Sequence, residues 1–218
     1  MPIFDDVIVA ADDNSIVEVV KDFGGNACLT PEELTSGTDR VAYVTKGSDA
    51  DVIVNVQCDE PFIRSEMIDV GLNPFVADDD VVMGSLKTRI SDIDELLDPN
   101  VVKVVTDNDD DAIYFSRSPI PFNRDAIGRL KDIEHARIDL EENAYYKHLG
   151  IYYYRPEFLQ KFSKMPAGRL EVVEKLEQLR VLENGYKIKV PTTKHDSIGV
   201  DTKEDLIKVR NIFLNLER

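Results

Sequence analysis

Residues 51–56 read DVIVNV, and the polar cluster Gln57-Cys58-Asp59-Glu60 follows directly, closed by Pro61. A run this apolar suits a strand covered on both faces, as in the centre of a parallel sheet. Its abrupt polar end would then fall at a carboxyl edge, where open α/β sheets bind ligands. The flanking sequence fits the same architecture. VIVA at 7–10 reads as a strand, and Ile16, Val19, Val20 and Phe23 follow at helical spacing until Gly24-Gly25. TPEE at 30–33 has the form of a helix start, with Thr30 as cap, Pro31 in first position and Glu33 closing a capping box. Further strands are expected near 81–87, 101–106, 112–115, 149–154 and 187–191, and helices near 65–72, 92–97, 169–184 and 203–216. The last is the best specified: Thr202 caps, Asp205 closes the box, and Leu206, Val209, Phe213 and Leu216 share a face. This alternation predicts an α/β fold, a mostly parallel sheet flanked by helices, in one domain over 1–218. Near 112–155 the rhythm breaks: Pro119, Pro121 and several aromatics precede a charged stretch at 132–143, which reads as an insertion.

Charge narrows the partners. With 42 acidic and 26 basic side chains the chain carries a formal −16, which argues against a nucleic-acid surface. A small phosphorylated substrate remains open, since it needs only a local cation or a metal. No apolar stretch approaches the ~20 residues of a membrane helix. Residues 1–10 lack the basic-then-apolar pattern of a secretory signal. Cys28 and Cys58 make no disulfide framework, as expected of a cytoplasmic protein. The acidic run at 107–111 reads as a solvated turn. Spacings for a zinc site, a nucleophile triad or a Walker loop are absent from the sequence.

The residues that follow strands are the candidates for chemistry. Asp59 after DVIVNV and Asp201 in SIGVDT offer hard oxygens from two strand ends, suited to Mg²⁺ with substrate phosphates and water. On spacing alone, a turn residue and a helix-cap support explain them at least as well. Ser36, Gly37 and Thr38 precede a helix with hydroxyls and amides that suit a base or phosphate, though an ordinary cap fits too. His148, Tyr152 and Tyr154 alternate on one strand face and line either a sugar pocket or a packed interface. Glu171, Glu174 and Gln178 share one side of the expected helix 169–184, commonly a solvated row. Arg117 in YFSRSPIP is the strongest basic candidate for a carboxylate or phosphate, with a salt bridge as the alternative.

Together, SGTDR at 36–40, NVQCDEPFI at 55–63, DPNVVKVVTD at 98–107, YFSRSPIPFNRD at 114–125, HLGIYYYR at 148–155, LEQLRVLENG at 176–185 and GVDTKEDL at 199–206 resemble the 3-deoxy-manno-octulosonate cytidylyltransferase (CMP-Kdo synthetase) family. Seven blocks in family order are far more specific than any one of them. The resemblance implies that CTP and 3-deoxy-manno-octulosonate (Kdo) give CMP-Kdo and pyrophosphate with Mg²⁺, for lipopolysaccharide synthesis. It implies Asp59 and Asp201 as metal ligands, with Arg117 beside them in the catalytic set. Ser36, Gly37 and Thr38 would approach cytidine. Gln57, Arg117, His148, Tyr152, Glu171 and Gln178 would surround Kdo, and the insertion would form a homodimer. Two departures stand out. The matches begin at FDDVIVAADD, where the family usually has its second strand, so about one βα unit of roughly 30 residues with its basic glycine loop has no counterpart. Cys58 stands where the family usually has glycine. A non-catalytic dimeric interaction protein and a cytidylyltransferase for a related acidic sugar are the alternatives.

Overall fold

A computed structural model describes residues 4–124, 144–197, 199–200 and 202–216. In chain order its elements are β1 (Ile8–Ala11), α1 (Asn14–Asp22), β2 (Asn26–Leu29), α2 (Gly37–Val44), β3 (Ile53–Val56), α3 (Ser65–Ala77), β4 (Met83–Arg89) and α4 (Ile93–Leu97). Then come β5 (Lys103–Thr106), β6 (Ala112–Ser116), β7 (Tyr146–Tyr154), α5 (Pro156–Phe162), α6 (Arg169–Glu174), α7 (Leu179–Glu183) and α8 (Lys203–Leu216).

DVIVNV does become a strand, but the larger sheet is organised around β7. Tyr154 of β7 pairs with Ile53 of β3 on one side and Met83 of β4 on the other. Lys147 likewise lies between Lys103 of β5 and Thr88 of β4. All of these pairings are antiparallel, as is that of β5 with β6. The stretch expected as a strand at 187–191 contributes only bridges, parallel to β4 at Gly84–Lys189 and Lys87–Thr192. β1 and β2 form a separate parallel pair. The sheet is therefore mixed, and the mostly parallel expectation is corrected. β3 and β4 do run the same way, but β7 runs oppositely between them. Apolar patterning reports burial on both faces and carries no strand direction.

Alternation along β7 builds three layers. Leu149, Ile151 and Tyr153 face α3, where they meet Met67, Ile68 and Phe75. Tyr154 faces the other way into a cluster with Phe158, Leu159 and Phe162 of α5 and Leu179 and Val181 of α7. α3 approaches the sheet closely because Gly71 lacks a side chain: a Cβ there would lie 2.1 Å from the Tyr153 ring. The Tyr153 hydroxyl donates to the Met67 carbonyl at 3.2 Å, one helical turn earlier.

Local differences from the sequence reading have physical causes. TPEE opens no helix; Ser36 is the cap of α2 and accepts the Asp39 amide at 3.1 Å. The expected helix 169–184 breaks into α6 and α7, with Lys175 left-handed at φ 56°. Leu176 and Gln178 are buried in the break, so the chain turns inward where a continuous helix would run past the core. β2 and α5 were not expected, and α3 continues through Pro74 to Ala77. The insertion bounds of 112–155 are too wide, since β6 and β7 both belong to the larger sheet. Residues 125–143 lie outside the described residues, as does Asp201. Among the described residues no helix is long and apolar enough to cross a membrane.

Candidate active site

A cavity of about 510 Å³ opens where the start of α2, the end of β3 and the α6–α7 corner meet. Ser36, Gly37 and Thr38 form one wall, Gln57 lies at the β3 side, and Glu171, Lys175, Glu177 and Arg180 close the other. The Thr38 hydroxyl donates to Glu177 Oε2 at 2.6 Å, linking α2 to the corner. Burial pushes the Glu177 carboxyl above its ordinary range, while Thr38 and Arg180 draw it back. A carboxylate facing the positive end of a short helix is favourably placed.

Beyond Gln57 the polar groups turn inward. Gln57 Nε2 donates to Asn55 Oδ1 at 3.4 Å. Asn55 pairs with Tyr152 across β3 and β7, so their side chains share a face. Burial raises the Tyr152 phenol well above its ordinary value. It therefore keeps its proton and donates to Gln178 Oε1 at 3.2 Å. Three buried polar atoms here have no protein partner: Asn55 Nδ2, Gln178 Nε2 and Asp59 Oδ1. The loop that carries Asp59 is fastened on two sides. Glu60 accepts the Gly150 amide at 3.3 Å and the Ser197 hydroxyl, and the Val200 amide donates to the Asp59 carbonyl at 2.9 Å. Asp201 is the next residue in sequence after Val200.

His148 stands beside Tyr152 with ring centroids 5.3 Å apart, and Phe115 meets it edge-on at 5.2 Å. Its Nε2 lies 2.8 Å from Ser85 Oγ, which also reaches the Ile151 carbonyl at 2.8 Å. A carbonyl can only accept, so the single serine proton goes there and His148 Nε2–H donates to Ser85. That leaves Nδ1 as an acceptor. Burial lowers the imidazole pKa from 6.5 to about 3. Stability from neutral His148 is full above about pH 6.5 and is lost as pH falls toward 3, because the unfolded chain takes up the proton first. The expected slope is about 1.4 kcal/mol per pH unit. Urea unfolding across pH 4–7 checks it: His148→Gln should flatten that part of the profile, and an unchanged slope would assign it to other groups.

The remaining candidates are engaged with protein. Glu171 takes Arg180 Nε at 2.7 Å and Nη2 at 2.5 Å, and the Gly168 amide at 3.0 Å. Burial acts to raise its pKa, but Arg180 and that amide hold it below the ordinary range. Arg117 Nε donates to the Glu174 carbonyl at 2.7 Å and Nη1 to the Pro99 carbonyl at 2.9 Å. Its guanidinium thus caps the end of α6 and does not line the cavity. Ser36, Gly37, Thr38, Gln57 and Glu171 meet at one cavity, and His148, Tyr152 and Gln178 form a contiguous group linked to it through Asn55.

Sequence reasoning missed Asn55, Glu177 and Arg180. Helical spacing over 169–184 selected Glu171 and Gln178, whereas the turn at Lys175 resets the register and brings Glu177 to the cavity. The block LEQLRVLENG contains both Glu177 and Arg180 and was the signal available.

The family model described as Cytidylyltransferase matches residues 1–188. A 3-deoxy-manno-octulosonate cytidylyltransferase of Geobacter metallireducens is 52% identical over 204 residues, 94% of this chain and 79% of the relative. One from Geotalea uraniireducens is 53% identical over 204 residues, 94% and 80% of the two chains. A solved CMP:2-keto-3-deoxy-manno-octonic acid synthetase complexed with CTP superposes with a TM-score of 0.84 at 37% identity, covering 96% of this chain and 81% of that one. With its cavity at the end of β3 and these relatives, the chain belongs to the 3-deoxy-manno-octulosonate cytidylyltransferase family.

Proposed function

We propose that the cavity carries transfer of the cytidylyl group of CTP to Kdo, giving CMP-Kdo and pyrophosphate. The observation that carries this reading is the set of unpartnered buried atoms at the β3 end, Asn55 Nδ2, Gln178 Nε2 and Asp59 Oδ1. Two amide donors suit an oxygen-rich acid, and a bare carboxylate oxygen suits a hard cation. The start of α2, with Ser36 and Thr38, is the side for the nucleotide. Gln57, Tyr152, Gln178 and His148 are the side for the sugar acid. Arg117 stiffens the α6 corner from behind.

The chemistry is an in-line displacement: a sugar hydroxyl oxygen bonds to the α-phosphorus while the bond to pyrophosphate breaks, and the hydroxyl proton passes to solvent with the departing pyrophosphate. Such transfers depend on positioning and charge neutralisation. His148 Nδ1 is an acceptor that holds a substrate hydroxyl in orientation. Asp59 and Asp201 are the residues proposed to hold Mg²⁺, and the orphaned Asp59 Oδ1 fits that role. When bound, the ion supplies charge compensation at the phosphates of a chain that is itself −16. A homodimer and a cytoplasmic setting complete the proposal.

Pyrophosphate release by the purified chain tests it. Release is expected only when CTP, Kdo and Mg²⁺ are all present. Release from CTP without the sugar acid, or none with all three, would overturn the assignment.

A further inference from the structure

Asn55 sits two residues before Gln57 on β3 and is only 3% exposed. A carboxamide has two N–H donors and an accepting oxygen, and burial normally requires all of them to be engaged. The Asn55 oxygen is used by Gln57 Nε2, yet its own Nδ2 has no partner. Gln178, 2% exposed, repeats the arrangement: its oxygen takes the Tyr152 hydroxyl and its Nε2 has no partner. Two buried amides thus commit their acceptors to protein and withhold their donors. Because Asn55 pairs with Tyr152 across the strands, both amides belong to one face of the sheet.

We infer that Asn55 determines specificity for the sugar acid, an inference that rests on the function proposed above. Its Nδ2 donates to a carboxylate or hydroxyl oxygen of that substrate, alongside Gln178 Nε2. Its Oδ1 also fixes the Gln57 amide. With Nε2 held by Asn55, Gln57 offers Oε1 to the cavity as an acceptor, on the side where Gly37 backs against it. One side chain thereby sets a donor directly and an acceptor through its neighbour. The strand pattern concealed this, because an asparagine inside DVIVNV counts only as an interruption of an apolar run.

Two measurements test the inference. In the wild-type chain, selective ¹⁵N-asparagine labelling follows the Asn55 side-chain amide, assigned by its loss in Asn55→Asp. Kdo alone is expected to shift that signal, and CTP alone to leave it in place. In turnover, Asn55→Asp keeps the shape and the oxygen for Gln57 but replaces the donor with a carboxylate oxygen. The KM for Kdo is expected to rise at least tenfold with the KM for CTP within twofold, measured at a temperature where the variant, weakened by its buried carboxylate, is still folded. An Asn55 signal that ignores Kdo, or responds equally to CTP, overturns the inference. So does an Asn55→Asp enzyme whose two KM values move together. If pyrophosphate release works while the Asn55 signal stays silent, the proposed function stands and only this inference falls. If release fails, the amide response to Kdo alone still decides the role of Asn55.

Discussion

Asp59→Ala is expected to lower pyrophosphate release about a thousandfold or more without unfolding the chain. Oδ1 of Asp59 is buried with no protein partner, so its removal breaks no contact made by that atom. The interaction that fixes the loop, Val200 amide to Asp59 carbonyl, is made by the backbone and survives substitution. What is lost is the proposed anchor for Mg²⁺, whose charge stabilisation is worth several kcal/mol in transfers of this type. About 4 kcal/mol corresponds to roughly a thousandfold in rate. Release assays at saturating substrates, paired with a thermal melt, decide the matter. A variant that turns over near the wild-type rate would sink the proposed metal role of Asp59.

Arg180→Ala is expected to have the largest effect on stability. Arg180 and Glu171 are 12% and 13% exposed and meet through two parallel contacts. Glu177 adds a second carboxylate at 3.7 Å, and the Met165 carbonyl accepts Nη1 at 3.1 Å. Removing the guanidinium leaves Glu171 charged and largely buried without its partner, which costs about 3–5 kcal/mol. Urea unfolding should show the loss as a shifted midpoint with little change in slope. Arg180→Ala combined with Glu171→Gln should recover part of it, because the stranded charge is gone. A loss under about 1 kcal/mol would mean that water screens the pair.

The sequence made some features plain for definite reasons. The end of DVIVNV located Asp59 and Gln57, because a strand hidden on both faces must release its polar residues at an edge. Ser36 was identified in the turn before α2 because a hydroxyl ahead of a helix has a local job that leaves a local trace. What it hid was long-range. The reversed direction of β7 depends on which strands meet, and side-chain pattern is the same in either direction. Glu177 was overlooked because one left-handed residue at Lys175 changes which side chains share a face. Arg117 looked like a substrate ligand since nothing local shows that the carbonyls of Glu174 and Pro99 lie within its reach.

The separation of β1 and β2 from the larger sheet has a consequence for how the molecule opens. Only Ala11, Val17 and Val20 of β1 and α1 are buried, whereas Ile8, Val19 and Phe23 remain exposed. Arg40 of α2 ties this unit down by reaching Asp12, Thr30, Pro31 and Leu34. β4 and β7, in contrast, carry the buried core on both faces. Such unevenness divides a protein into cooperative units that exchange amide hydrogens at different rates. In native-state hydrogen–deuterium exchange, amides of β1, α1 and β2 are therefore expected to exchange by local opening, ahead of the global event that exposes β7. Ser36 and Thr38 sit at the junction, so the side of the cavity proposed for the nucleotide borders the unit expected to loosen first.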